Sequence, residues 1–168
     1  MSNLCENRLE VFADESLPKE ERTKLLQEFL SAFDLTMNFS FSQFLPIPEK
    51  VLRDGGRGIW MSDNWGCRGD ADCVGPLNYD GDIVWKEFDT PSSPPINAIE
   101  ALAQKHPLLN FTLFYAEPGA QFAGLVDWAG GELVDEEYCD FDDPEEIAGL
   151  SEWHSEKAEY YADMFSED

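Results

Sequence analysis

Carboxylates are the side chains of this sequence whose number and spacing indicate a chemistry. The chain has 35 Asp and Glu residues against 11 Lys and Arg, a formal charge of −24 over 168 residues. Residues 132–168 contain 15 acids and one base, Lys157, whereas residues 1–131 contain 20 acids and 10 bases. Carboxylates clustered at one end attract basic surfaces and repel phosphates, so we expect a basic protein partner and no direct contact with nucleic acid or membrane.

Most of these acids fall on one predicted helix. Asp143 suits the N-cap, Pro144 the first helical position, and Glu145 the positive end of the helix dipole. At 100° per residue, the pattern up to Phe165 is amphipathic and carries a carboxylate stripe about 27 Å long. The residues that we predict to contact the partner are Asp142, Asp143, Glu145, Glu152, Glu156, Glu159 and Asp163.

The stripe has two interpretations. Its carboxylates follow one another at roughly one helical turn, about 5 Å, which is not far from the phosphate spacing of a nucleic-acid strand. A protein that grips DNA with Lys and Arg would therefore meet complementary charge. The alternative interpretation is the solvated outer face of an ordinary docked helix.

Neither a metal, a cofactor nor a catalytic centre is predicted. The acids of residues 78–82 do not have the spacing of a calcium loop, because the glycine comes too early. Cys67 and Cys73 are too far apart for a zinc knuckle, and only His106 and His154 could complete a set. We expect His106 to cap a helix end and His154 to be a buried, satisfied histidine, which leaves a thiol without an activating base.

A turn around a tryptophan is the rival candidate site. Asn64 and Gly66 predict that Trp65 lies in a turn, where its ring could meet a small ligand or a substrate together with Asp70. Core packing is the ordinary alternative for this indole. Partner binding through the acids should weaken with salt, whereas ligand binding at this turn should respond to Trp65→Ala.

The elements that must position these residues predict an α+β fold. Strand, helix and strand occur twice in order, followed by hairpin strands, which is the ferredoxin-like pattern of an antiparallel sheet with two helices on one face. Strands are predicted at residues 7–12, 38–44, 82–89, 108–115, 121–128 and 132–138, and helices from Leu17, at 96–105 and at 143–165. We interpret Gly55 to Gly58 as a flexible connection. The predicted domains are 1–137, ferredoxin-like, and 138–168, an acidic extension.

The motifs of residues 7–134 resemble the YubB-like family of ferredoxin-like proteins. The matching stretches are Asn7-Arg8-Leu9, residues 44–49 (FLPIPE), Asn64-Trp65-Gly66, residues 88–90 (FDT) followed by 93–95 (SPP), His106-Pro107, and residues 115–119 (YAEPG) with 122–124 (FAG). The resemblance implies a plasmid or phage origin and no known reaction. Arg68-Gly69 and Pro91-Ser92 replace the family's usual Lys-Trp and Ala-Trp pairs, which removes aromatic surface from any ligand site.

Together these observations predict a non-catalytic, cytoplasmic interaction protein. The first ten residues carry acids without a continuous apolar run, and the four cysteines lack the spacing of a disulfide scaffold. The favoured function is inhibition of a nucleic-acid-handling protein, such as a defence nuclease or a CRISPR-type complex, by nucleic-acid mimicry. An immunity protein against a basic nuclease toxin would use the same physics. The remaining alternative is a host-adaptation scaffold whose acidic tail is only solvated.

Overall fold

An antiparallel sheet frames the protein, of which a computed structural model describes residues 3–32, 39–73 and 75–165. The strands run in the order β2-β4-β1-β5-β6-β7, with β3 beside β4. Their bounds are β1 Leu4–Ala13, β2 Asp72–Cys73, β3 Asn78–Tyr79, β4 Ile83–Pro91, β5 Leu109–Glu117, β6 Phe122–Ala129 and β7 Glu132–Asp140.

The first strand of the chain lies in the middle of this sheet. β1 pairs with β4 on one side and with β5 on the other, so that Leu9 lies opposite both Lys86 and Leu113. Side chains of a strand point alternately to the two faces of a sheet. Leu9 and Val11 are therefore buried against one helical layer, while Glu6 and Arg8 point to the opposite face.

The helices that precede β5 cover one face of the sheet, which we call the first face. They are α1 Lys19–Ala32, α2 Glu49–Asp54, α3 Arg57–Trp65 and α4 Ile96–Lys105. α4 begins and ends at the predicted residues, and its apolar side is fully buried through Ala98, Ile99, Leu102 and Ala103. These side chains join the inward residues of β1, β4, β5 and β6 in one apolar core.

Two further helices lie on the opposite face, which we call the second face. They are α5 Pro144–Leu150 and α6 Glu152–Phe165. Ile147 and Tyr161 pack there with Ala116, Ala123 and Cys139 of the sheet. The predicted domain boundary at residue 137 falls inside β7, which pairs with β6 along its length. The predicted extension, 138–168, therefore supplies the end of β7 and one helical layer of the same fold.

The prediction of a strand at residues 38–44 is wrong for the part that the structure describes, which excludes Asn38. Residues Phe41–Gln43 form a 3-10 helix, and the Ser40 hydroxyl accepts a hydrogen bond from the Ser42 amide at its start. The Asp70 carboxylate accepts hydrogen bonds from the Phe41 amide at 2.8 Å and from the Ser40 hydroxyl. A carboxylate 30 residues away thus fixes this turn, which short-range alternation does not show.

The predicted flexible connection at Gly55 to Gly58 is also wrong, because it joins two helices directly. Gly55 ends α2 with φ 90° and Gly56 precedes α3 with φ 82°. Both values lie in a region that residues with a Cβ rarely adopt. The glycines therefore join α2 to α3 within two residues, and Gly58 already lies in α3.

Candidate functional site

The acids of the last described elements all lie on the surface. Thirteen carboxylates occur between Glu132 and Asp163, and each of them is exposed. Seven are the predicted contact residues Asp142, Asp143, Glu145, Glu152, Glu156, Glu159 and Asp163; the others are Glu132, Asp135, Glu136, Glu137, Asp140 and Glu146. α5 contacts both β7 and α6, so these carboxylates lie on neighbouring elements, and we call them together the acidic surface. Side chains alternate along β7, so Glu136 and Asp140 share the first face with Val126 and Phe122, whereas Glu137 shares the second face with Cys139.

The predicted single helix is in fact two. α5 ends at Leu150, Ser151 is extended with φ −167°, and α6 begins at Glu152. The Ser151 hydroxyl accepts a hydrogen bond from the His154 amide at 3.1 Å, which is the geometry of an N-cap. The continuous stripe of 27 Å is therefore wrong. The α6 part, from Glu152 to Asp163, extends about 16 Å, and Asp142, Asp143 and Glu145 belong to the start of α5.

α6 is amphipathic as predicted, and its buried side docks on the second face. Trp153, His154, Ala158 and Tyr161 are buried. The His154 ring has no exposed surface, and both of its nitrogens are bonded: Nδ1 to the Ser151 hydroxyl at 2.8 Å and Nε2 to the Tyr115 carbonyl at 3.0 Å. Burial lowers the pKa of His154 because it disfavours the charged imidazolium. The prediction of a buried, satisfied histidine is confirmed.

Polar contacts complete the docking of α6. The Glu6 carboxylate accepts hydrogen bonds from the Tyr161 hydroxyl and from Lys157 Nζ, the latter at 3.2 Å. The Trp153 indole N–H donates to Glu87 at 2.8 Å. Lys157 is the only base between residues 132 and 168, and it faces the sheet rather than its neighbouring acids. The acidic surface thus keeps its negative charge while α6 is held in place.

A carboxylate ladder lies beside this contact. Glu6, Asp89 and Asp72 are paired across three adjacent strands. Burial, together with the charges of Glu6 and Asp72, raises the pKa of Asp89, and Lys157 opposes the rise. Sequence reasoning missed this cluster, because only the strand register brings acids so distant in sequence together.

The two sides of α6 differ in character. On one side, a polar cleft of about 400 Å³ lies between α6 and β1 and is lined by Arg8, Glu10, Glu152 and Glu156, among others. Arg8 pairs with Glu10 at 3.0 Å and lies over the Trp85 ring at 5.2 Å. Two of the seven predicted contact residues, Glu152 and Glu156, therefore border a cleft that contains a base.

The tryptophan of the rival site lies in the core. Trp65 is the last residue of α3, is 1% exposed, and its indole N–H donates to the Leu45 carbonyl at 2.9 Å. Asn64 donates to the Trp60 carbonyl at 2.9 Å, and Asp70 holds the 3-10 turn described above. The predicted turn position of Trp65 is wrong, because the turn residue is Gly66 with φ 89°. The structure therefore gives these three side chains structural contacts.

The described thiols and His106 are also structural. Cys5, Cys67 and Cys139 are free and buried. Burial raises the pKa of Cys67 to about 12, so the thiol stays protonated near neutral pH. His106 follows α4 as predicted for a cap, and its ring meets Phe29 edge-on at 5.2 Å. Among the described residues, no group of three or more His, Cys, Asp or Glu side chains is arranged to hold a metal.

No helix in the described ranges is both long and apolar enough to cross a bilayer. No curated protein matches the sequence significantly. A solved structure with a similar fold is the protein Api92 from Yersinia pseudotuberculosis, with a TM-score of 0.59 at 10% sequence identity. The match covers 83% of this chain and 98% of Api92. At this identity the likeness concerns the fold alone.

Residues 76–163 match the family described as the ferredoxin-like domain in Api92-like protein, which is just over half of the 168 residues. The match begins before β4 and extends into α6, so it includes the acidic helical layer. The predicted ferredoxin-like α+β fold is thereby confirmed. The chain belongs to the family of proteins with an Api92-like ferredoxin-like domain.

Proposed function

We propose that this protein is a non-catalytic binding protein whose acidic surface occupies the basic, nucleic-acid-binding surface of another protein. The observation that carries the proposal is the exposure of all thirteen acids between Glu132 and Asp163, mounted on a strand and two docked helices. A solvated tail would not need to be fixed on a strand and docked helices. A binding surface benefits from being fixed in this way, because preorganised charges lose less conformational entropy on binding.

The charge of this surface attracts basic partners over a distance. Clustered carboxylates destabilise the folded state by mutual repulsion, which is relieved when Lys and Arg of a partner approach. Complementary charge accelerates encounter and weakens with added salt, because the Debye length is about 8 Å at physiological ionic strength. On α6, Glu152, Glu156, Glu159 and Asp163 are separated by three or four residues, about 5–6 Å along the axis. Phosphate-binding side chains would find charges at a comparable spacing.

The concrete form of the proposal is inhibition. The proposal includes a plasmid or phage origin, which the resemblance to YubB-like proteins implies. It also includes action in the cytoplasm. A mobile element benefits from blocking a host nuclease or a CRISPR-type complex, and both of these grip nucleic acid with Lys and Arg. An immunity protein against a basic nuclease toxin would use the same surface.

The test compares two variants with the same change of charge. Glu152, Glu156 and Glu159 on α6 are changed to Gln in one variant, and Glu20, Glu21 and Glu28 on the exposed side of α1 in the other. Partners are captured from host lysate at low salt with each bait. The captured basic protein is then titrated against labelled duplex DNA in the presence of each bait.

The unmodified chain and the α1 variant should displace the DNA, and the α6 variant should do so about tenfold more weakly or worse, since it lacks three charge pairs. Added salt should reduce the displacement further. Equal displacement by the two variants would contradict the proposal, as would a captured partner that binds the chain and DNA at the same time.

A further inference from the structure

An apolar groove lies between α5 and α6, next to the acidic surface. Its volume is about 350 Å³, and its walls are Phe141, Pro144, Ile147, Ala158, Tyr161 and Ala162, with Gln121 at the β5–β6 turn. Ile147, Ala158 and Tyr161 are buried, whereas Pro144 and Ala162 are exposed at the mouth. The groove exists because α5 and α6 are separate helices that meet at Ser151.

Exposed acids are the chain neighbours of the two exposed residues at the mouth, Pro144 and Ala162. Asp142, Asp143 and Glu145 flank Pro144 in the chain, and Asp163 follows Ala162. The arrangement differs from the polar cleft on the other side of α6, which contains Arg8. It also differs from the apolar cavity under α1, which Lys105 and His106 line. Apolar walls and several exposed acids occur together here, while Lys157, the neighbour of the wall residue Ala158, is paired with Glu6. The excess of negative charge favours a basic occupant.

Such a combination fits a particular occupant. A basic segment places Lys or Arg against these acids, and one large apolar side chain of the same segment enters the groove. Interfaces draw much of their affinity from a few buried aromatic or aliphatic residues surrounded by polar contacts. DNA and RNA have no aliphatic side chain to offer. The groove therefore distinguishes a protein partner by an apolar side chain, in addition to its positive charge.

We propose that the α5–α6 groove binds a Lys- or Arg-rich segment of the partner through one large apolar side chain, Leu, Phe or Trp. The proposal rests on the function proposed above and adds a specificity element to it. The acids attract any basic surface, and the groove selects those that carry an apolar anchor among the bases. At about 350 Å³ the groove has room for a Leu, Phe or Trp side chain, so a single anchor fits.

The probes are two synthetic 14-residue helical peptides of equal charge. One has a Trp at the centre of a Lys-rich sequence and the other has Ser at that position. Binding to the full chain is measured by titration calorimetry or by anisotropy of a labelled peptide. The unmodified chain should bind the Trp peptide about tenfold more tightly than the Ser peptide. This comparison needs no variant, so it does not depend on any substitution being tolerated.

Ala162→Trp then fills the mouth of the groove without a change of charge, and Tyr160→Trp is the control on another side of α6. Ala162→Trp should remove the preference for the Trp peptide and leave binding of the Ser peptide unchanged, while Tyr160→Trp should keep the preference. Equal affinities of the two peptides for the unmodified chain would overturn the groove proposal alone. If neither peptide binds, and the α6 Gln variant still displaces DNA as well as the α1 variant does, the function proposed above fails as well.

Discussion

The two faces of the sheet are built on different principles. The core of the first face contains 24 buried residues, including an aromatic cluster in which Trp65, Phe41 and Phe88 meet edge-on. The cluster on the second face contains seven buried residues, and its helices are also tied by hydrogen bonds of His154, Trp153 and Tyr161. Apolar burial contributes most on the first face, whereas directional hydrogen bonds contribute a larger share on the second.

This difference separates stability from recognition. The first face supplies most of the apolar burial, so the fold depends mainly on it. The second face presents the groove and the acids of its two helices, and its thin core must withstand the mutual repulsion of these exposed acids. The binding surface should therefore be easier to perturb by pH and by substitution than the fold that carries it.

The largest expected effect compares one tryptophan from each face. Trp65→Ala should lower the free energy of unfolding by about 3–5 kcal/mol, because a fully buried indole leaves a cavity and its N–H bond to Leu45 is lost. Trp153→Ala should cost less, about 2 kcal/mol, because that indole is 7% exposed and its thin layer can collapse around the gap. Urea denaturation followed by circular dichroism measures both. Equal losses would show that the faces contribute alike.

A smaller effect concerns the pH dependence of the second face. Burial lowers the pKa of His154 below that of the unfolded chain, about 6.5, so the unfolded state takes up a proton first as pH falls. The contribution of His154 is complete above about pH 6.5 and is lost progressively below it. His154→Gln retains a donor toward Tyr115 and does not titrate. Between pH 6.5 and 5, the unmodified chain should lose more stability than the variant, by at most about 1.4 kcal/mol per pH unit.

Thermal unfolding of both chains across this range measures the difference. His106 serves as the control, because its pKa is also lowered by burial but its ring packs on the first face, against Phe29. Substitution of His106 should leave the hydrogen exchange of α6 amides unaffected. A pH dependence that is identical in the unmodified chain and in His154→Gln would contradict the assignment of this acid sensitivity to the second face.

The smallest expected effect is an increase in stability on substitution of Asp89. The pKa of Asp89 is raised, so its charge opposes folding at neutral pH and this cost disappears as the group is protonated at lower pH. Asp89→Asn should raise the free energy of unfolding at pH 7 by roughly 0.5 kcal/mol, the size of a partly screened charge interaction. The gain should shrink toward pH 4. A loss of stability at pH 7 would show that Asp89 is a net attractive partner of Lys157.

Long, strongly patterned elements were predictable from the sequence. α4 was bounded to the residue by Pro95 before it and His106 after it, and β4 to β7 lie within three residues of the predicted strands. The exposed acids and the buried His154 followed from helical periodicity alone. In each case the determining interactions lie within one element, where sequence spacing reports them.

The errors occurred where distant residues determine the structure and where short elements meet at a local junction. Asp70 fixes the 3-10 turn at Phe41, and the glycine pair at residues 55–56 is a junction whose helices are too short to show a period. Ser151 breaks the last helix although the apolar spacing continues through it. A Ser followed by Glu is an N-cap signal that was available there. The Glu6–Lys157–Tyr161 contact and the groove need the sheet register, which no local pattern contains.

β1 is the first strand in the chain, but its central position means that it can pair only after β4 and β5 have been synthesised. The partners of this strand, β4 and β5, begin about 70 and 96 residues after it ends. At roughly 5–20 residues per second on the ribosome, β1 waits for several seconds with its apolar residues unpaired. Pairing over such distances also makes refolding slow compared with that of helical bundles. The nascent chain can therefore complete the pairing of β1 only after β5 has emerged, and β6, β7 and the acidic layer are added after that.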